Sequence, residues 1–123
     1  MIKVKHLMEA VEEDDGQRLW VEPIGLCRDL QEWCHVDHVL PHLGPPITAW
    51  KVLEDHPDAY EYFRAQYHAQ LKRSKHRAAL QGLACASRRE TFTLLHQSED
   101  DEHNSATALY EFLTDLEAYC KPE

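Results

Sequence analysis

The chain has 123 residues, 43% hydrophobic and 28% charged, enough for one domain (1–123) with a real core and too few for two. Its formal net charge of −9 argues against nucleic-acid binding driven by phosphate contacts, and no apolar run approaches the roughly 20 residues that span a bilayer. The opening MIKVKHLMEAVEEDD has no signal-peptide core, so a cytoplasmic protein is expected, with Cys27, Cys34, Cys85 and Cys120 as free thiols.

Ile2, Val4 and His6 alternate with Lys3 and Lys5, the period-two mark of a strand. Glu12 to Gly16 reads as a turn and Arg18 to Glu22 as a second strand, ended by Pro23 and Gly25. Leu26, Leu30, Trp33 and Leu40 fall near helical spacing and predict a helix over 28–40, stopped by Pro41. Gly44, Pro45 and Pro46 form a rigid break, after which Thr48 is placed to cap a short helix carrying Trp50 and Leu53. Pro57, flanked by Asp55 and Asp58, suits a first helical turn, and Tyr60, Phe63, Tyr67 and Leu71 then mark one buried stripe. A helix over 75–87 points Leu80, Leu83 and Ala84 inward. Thr91 to His96 is rich in β-formers and reads as a buried strand. After the polar stretch Gln97 to Asn104, a last helix presents Ala106, Leu109, Leu113, Leu116 and Cys120 on one face. This order predicts an α/β fold, with a small, at least partly parallel sheet flanked by helices.

Charge is unevenly placed. Between Tyr62 and Arg89 there are seven basic residues and no acid, whereas the remainder holds 22 acids against six basic residues. A solvated helix face accounts for such a run. So does a docking patch, spanning Arg64 to Arg89, for an acidic protein partner or a second copy of the chain. Neither nucleic acid nor membrane is expected as a partner.

Two groups of residues could carry chemistry. Cys34, His35 and His38 would share one side of the predicted helix, with soft and imidazole ligands of the kind zinc takes. Pro41, however, turns His42 out of register, and three ligands are the minimum. The second group, His96, Asp101, His103 and Asn104, lies where a strand ends and a helix begins, with Glu22 expected nearby. A histidine beside a carboxylate there can exchange protons. The simpler reading is that Asp101 or Asn104 caps the helix and His96 packs at the strand end. The four glycines lie far apart, and there is no phosphate-cradling loop or nucleophile elbow, so no cofactor is expected.

Three stretches resemble the YeaO-like family of uncharacterised bacterial proteins. They are Ile2-Lys-Val-Lys with Asp14-Asp-Gly-Gln-Arg18; Trp50 to Leu71 with His56-Pro57 and Phe63-Arg64; and Thr93-Leu-Leu with Asp101-Glu-His-Asn104. The resemblance implies an α/β fold and implies no established reaction. It also implies basic residues that this chain lacks. Val21 to Leu26 stands where the family has an arginine-containing segment, His6 stands for an arginine, and Glu99 or Asp100 for a lysine. The expectation is therefore an uncharacterised binding or interaction domain that has lost its relatives' basic site. The alternative is a small enzyme or metal-binding protein using His and Asp at the carboxyl edge of the sheet.

Overall fold

A computed structural model describes residues 1–122. Four strands, β1 (Ile2–His6), β2 (Gln17–Trp20), β3 (His38–Val39) and β4 (Phe92–His96), form one parallel sheet in the order β1-β4-β2-β3. Five helices accompany it: α1 (Arg28–Trp33), α2 (Ile47–Asp55), α3 (Tyr60–Lys72), α4 (Arg77–Ala86) and α5 (Ser105–Glu117). The predicted class and parallel pairing hold. The short strand β3 falls inside the stretch predicted to be helical.

The last strand in sequence is an inner strand in space, and all five residues of β4 are buried. An inner parallel strand is covered on both faces, which is why Phe92 to His96 reads as a continuous β-forming run and not an alternation. On one face Leu19, Val21, Phe92 and Leu94 meet the helices. Tyr60, Phe63, Tyr67 and Leu71 of α3 pack there with Leu80 and Ala84 of α4 and Leu109, Phe112 and Leu113 of α5. The predicted α3 stripe is this contact, each large side chain worth ~1.5–3 kcal/mol of burial.

The other face carries Lys3, Lys5, Thr93, Leu95, Arg18 and Trp20, as the pairing register requires. Residues 7–16 run back across it, and Leu7, Trp20, Cys34 and Leu95 make a small second core. Lys5 on this face is not left to solvent; its side chain is buried under this link. Gly16 makes the close approach possible. Its φ is +62°, and a Cβ there would lie 2.0 Å from the Thr91 carbonyl oxygen, so only glycine fits.

Several local expectations are corrected. The helix predicted over 28–40 stops at Trp33. Cys34 caps it and His35 turns into left-handed backbone at φ 53°. A helix continued past that point would carry the chain away from β2, whereas Asp37 and Leu40 donate their N–H groups to the Arg18 and Trp20 carbonyls. Thr48 lies inside α2, whose cap position is Pro46. Cys85 and Cys120 are joined in a disulfide, leaving only Cys27 and Cys34 as thiols. The packing of α4 against α5 brings these two together from 35 residues apart, which no spacing rule could show. No helix is long and apolar enough to cross a membrane among the described residues.

Candidate functional site

Parallel strands direct their carboxyl ends to one edge, where α/β proteins usually bind ligands. Here that edge receives His6 from β1, His96 from β4, Glu22 just beyond β2, and the loop 97–104 that leads into α5. An open cleft of about 750 Å³ lies against the loop, lined by Leu53, Glu54 and Pro57 opposite Gln97 to His103. Five of its residues are acidic: Glu54, Glu99, Asp100, Asp101 and Glu102. Burial, together with the charges of Asp55 and Glu99, raises the Glu54 carboxyl above its ordinary value, against the pull of Lys51.

Five backbone donors of this edge, those of Ser98, Asp100, Glu102, His103 and Thr107, are already committed. Asn104 caps α5 through Oδ1, which accepts from the Thr107 N–H at 2.8 Å. Its Nδ2 donates to the Asp100 carbonyl at 2.8 Å. Asp100 accepts the N–H groups of both Glu102 and His103, at 3.0 Å each, and these bonds hold its carboxyl below the usual range. Ser98 Oγ accepts from Asp100 N–H, and His96 Nδ1 accepts from Ser98 N–H at 3.1 Å. An incoming oxyanion would find these N–H groups spent and a ring of carboxylates in front of them.

His96 is buried, and that burial, assisted by His6 with its ring centroid 5.5 Å away, pushes the imidazole down to about 4. With Nδ1 accepting from Ser98, the proton of the neutral ring rests on Nε2. Nearby, Asp101 Oδ1 is 4.0 Å from that nitrogen, beyond hydrogen-bond reach, and the Asp101 side chain is largely exposed. His103 faces outward instead, 3.4 Å from Asp100 and with its ring 4.7 Å from that of Tyr60.

Glu22 is fully buried behind the cleft. Ser105 Oγ donates to Oε1 at 2.7 Å, and the Trp50 indole N–H donates to Oε2. Burial raises this carboxyl above its ordinary value despite those two donors, and Glu54 adds to the effect. Trp50 and Ser105 were not singled out by sequence; a buried acid needs donors, and an indole on the facing helix is the one signal that could have suggested them.

Of the five candidates, Asn104, His96 and Asp101 cluster, His103 lies on the cleft beside Asp100 and Tyr60, and Glu22 is held by separate partners. Cys34, His35 and His38 lose their helical face because α1 ends before them; Cys34 is buried while His35 and His38 are exposed. Among the described residues, the carboxylates close enough to share an ion are Glu12, Asp14 and Asp15. Lys3 and Lys5 already occupy that group, with Arg18 Nη1 2.6 Å from Asp15, so cations of the chain itself fill the place of a metal.

A family model described as the inactive DUF488-N3 subclade matches residues 1–121. The chain belongs to that subclade. The match supports the expectation of an uncharacterised family, though its name is not the YeaO-like one. No curated protein and no solved structure matches the chain.

Proposed function

We propose that this domain is a non-catalytic member of its family that acts by protein contact, its ancestral anion-binding edge having been closed by its own side chains. The observation that carries this reading is the loop 97–104, where the N–H groups of Ser98, Asp100, Glu102 and His103 are taken by His96, Ser98 and Asp100, and that of Thr107 by Asn104, behind five carboxylates. Arginines or lysines at such an edge grip phosphate or carboxylate groups. The resemblance to YeaO-like bacterial proteins implies them in relatives, and here Glu22, His6 and Glu99 or Asp100 stand in that region. The buried, shifted His96 and Glu22 are what an enzyme would tune. Against catalysis, both Glu22 oxygens have internal partners and His96 lies in the floor of the edge.

The contact surface is the middle of the basic segment. Arg64 is held by Glu61 and Glu111, and Arg88 by Glu117. Lys72, Arg73, Lys75 and Arg77 are exposed around the α3–α4 turn and point to an acidic protein partner rather than nucleic acid or membrane. A cytoplasmic location belongs to this reading too, with the Cys85–Cys120 bond then exposed to a reducing pool.

The test is a titration with inorganic phosphate and pyrophosphate at millimolar concentration, following the His96 and Asn104 resonances. No saturable shift is expected. Saturable binding that His96→Gln or Asn104→Ala abolishes would overturn the reading.

A further inference from the structure

The helical side of the molecule carries a groove that matches, in charge and in exposed apolar surface, a helix on the opposite side of the sheet. The groove, about 690 Å³, runs between the α3–α4 turn and α5. Phe112 and Leu116 are its buried floor, Tyr119 stands at its edge with 82% of its surface exposed, and Lys72 and Arg77 line its rim. Asp115 is the one acid among the lining residues, so positive charge prevails. The helix is α1. It buries none of its residues, and Trp33, 77% exposed, shares its surface with the exposed Leu30, Asp29 and Glu32, the helix's two acids outnumbering its one cation, Arg28. A tryptophan left in water beside two carboxylates is the counterpart of an apolar slot rimmed by two cations.

We propose that the chain associates with itself head to tail, α1 of one copy entering the α3–α5 groove of the next. This rests on the reading of the basic segment as a docking surface, and names its occupant. A foreign acidic segment would need the same chemistry; this chain already carries it on α1. Because α1 and the groove lie on opposite sides of the sheet, each contact leaves one helix and one groove open. Such a contact is heterologous and builds a chain or a ring, not a closed two-fold pair. A six-residue helix covers little area, so the interface belongs to the small, weak class and weakens further in salt.

The experiment is sedimentation velocity on the full chain over a concentration series at low and high salt. The weight-average mass is expected to rise past that of a dimer at low salt and to fall back at high salt. Trp33→Ser, which removes the plug, and the pair Lys72→Glu with Arg77→Glu, which spoils the groove, should each be monomeric with unchanged thermal melts, since all three residues are exposed. Mixed, these two variants should form a 1:1 complex that grows no further, because one supplies the intact groove and the other the intact α1. A monomeric wild type, a closed dimer indifferent to these variants, or a mixture that stays monomeric would each overturn self-association. A short synthetic peptide of Asp, Glu and one Trp separates that failure from failure of the docking reading. If it binds the wild-type chain and not the Lys72→Glu, Arg77→Glu variant, the basic surface docks acidic partners but not its own copy. If it binds neither, both readings fall.

Discussion

Asp15 and Glu22 are carboxylates of nearly equal burial, 1% and 0% exposed, at opposite ends of β2, and their environments drive them in opposite directions. Burial alone would raise both. For Asp15 it is outweighed by the Lys3 ammonium, the Glu12 N–H, Lys5 and Arg18, which together hold the carboxyl far below its ordinary range. Glu22 meets only the neutral donors Ser105 and Trp50, with Glu54 adding repulsion, so burial prevails and the carboxyl is raised. The face of the sheet that carries Lys3, Lys5 and Arg18 is bound by buried ion pairs and a minor apolar cluster, and the helical face by apolar packing and a disulfide. Depth of burial does not decide how a charge behaves; the partners supplied by the covering segment do.

The largest effect should come from the ion-paired face. Asp15→Asn leaves Lys5 and Arg18 buried without their shared counter-charge, and Arg18 already has one nitrogen, Nη2, with no partner among the described residues. The expected loss is about 3–5 kcal/mol in urea unfolding. A loss below ~1 kcal/mol would mean that the cluster is solvated and the contrast with Glu22 is illusory. Since the folded value of Asp15 is depressed, its contribution is complete above the unfolded aspartate value near ~3.9 and is lost as pH falls through the folded one.

On the helical face, Cys85→Ser should cost about 2–4 kcal/mol, the range expected for opening a closed loop of this kind. Reductant should reproduce the loss in the wild type and leave the variant unaffected. Melts of both proteins in each redox state check this; an equal response to reductant would place the sensitivity elsewhere.

Next in size is His96. Its folded value of about 4 lies below the ordinary ~6.5, so the unfolded chain takes up this proton first. The stabilisation is complete above the unfolded value and is lost as pH falls from there toward the folded one, a window worth ~3 kcal/mol. Melts of wild type and His96→Gln across that window should converge as the pH drops. Curves that stay parallel would show that His96 does not titrate as a buried neutral ring.

How much of this was legible in the sequence follows from what local pattern can encode. The α3 stripe at Tyr60, Phe63, Tyr67 and Leu71, the strand at Phe92 to His96 and the cap at Asp101 or Asn104 depend on neighbours within a few residues; the stripe and the strand are found where expected, and of the two cap candidates Asn104 is the one that caps. Lys5, Trp33 and the two bonded cysteines depend on which distant segment lies over them. Alternation marks the strand but not the burial of Lys5, because the covering link, residues 7–16, has no regular structure beyond one 3-10 turn. Helical spacing put Trp33 inside, though no residue of α1 is buried. The candidate site was legible as a place, the end of β4 and the start of α5, but the donors to Glu22 come from α2 and α5, and only folding brings them to it.

The smallest effect, and the sharpest on the comparison, is Glu22→Gln. The amide can accept from the Trp50 indole through its oxygen and donate to Ser105 through its nitrogen, so both contacts survive with one polarity reversed. The cost should be about 1 kcal/mol or less. Its pH dependence should run opposite to that of Asp15. A raised folded value means that the native state holds the Glu22 proton more tightly than the unfolded chain does. Wild-type stability from this group is then greatest below the unfolded glutamate value near ~4.3 and declines as pH rises through the folded one. The glutamine variant has no such decline, so the gap between the two proteins should narrow from acid toward neutral pH. A gap that widens instead would make Glu22 a favourably ionised group like Asp15, and would reopen the buried edge of the sheet as a place where a charge is kept for use.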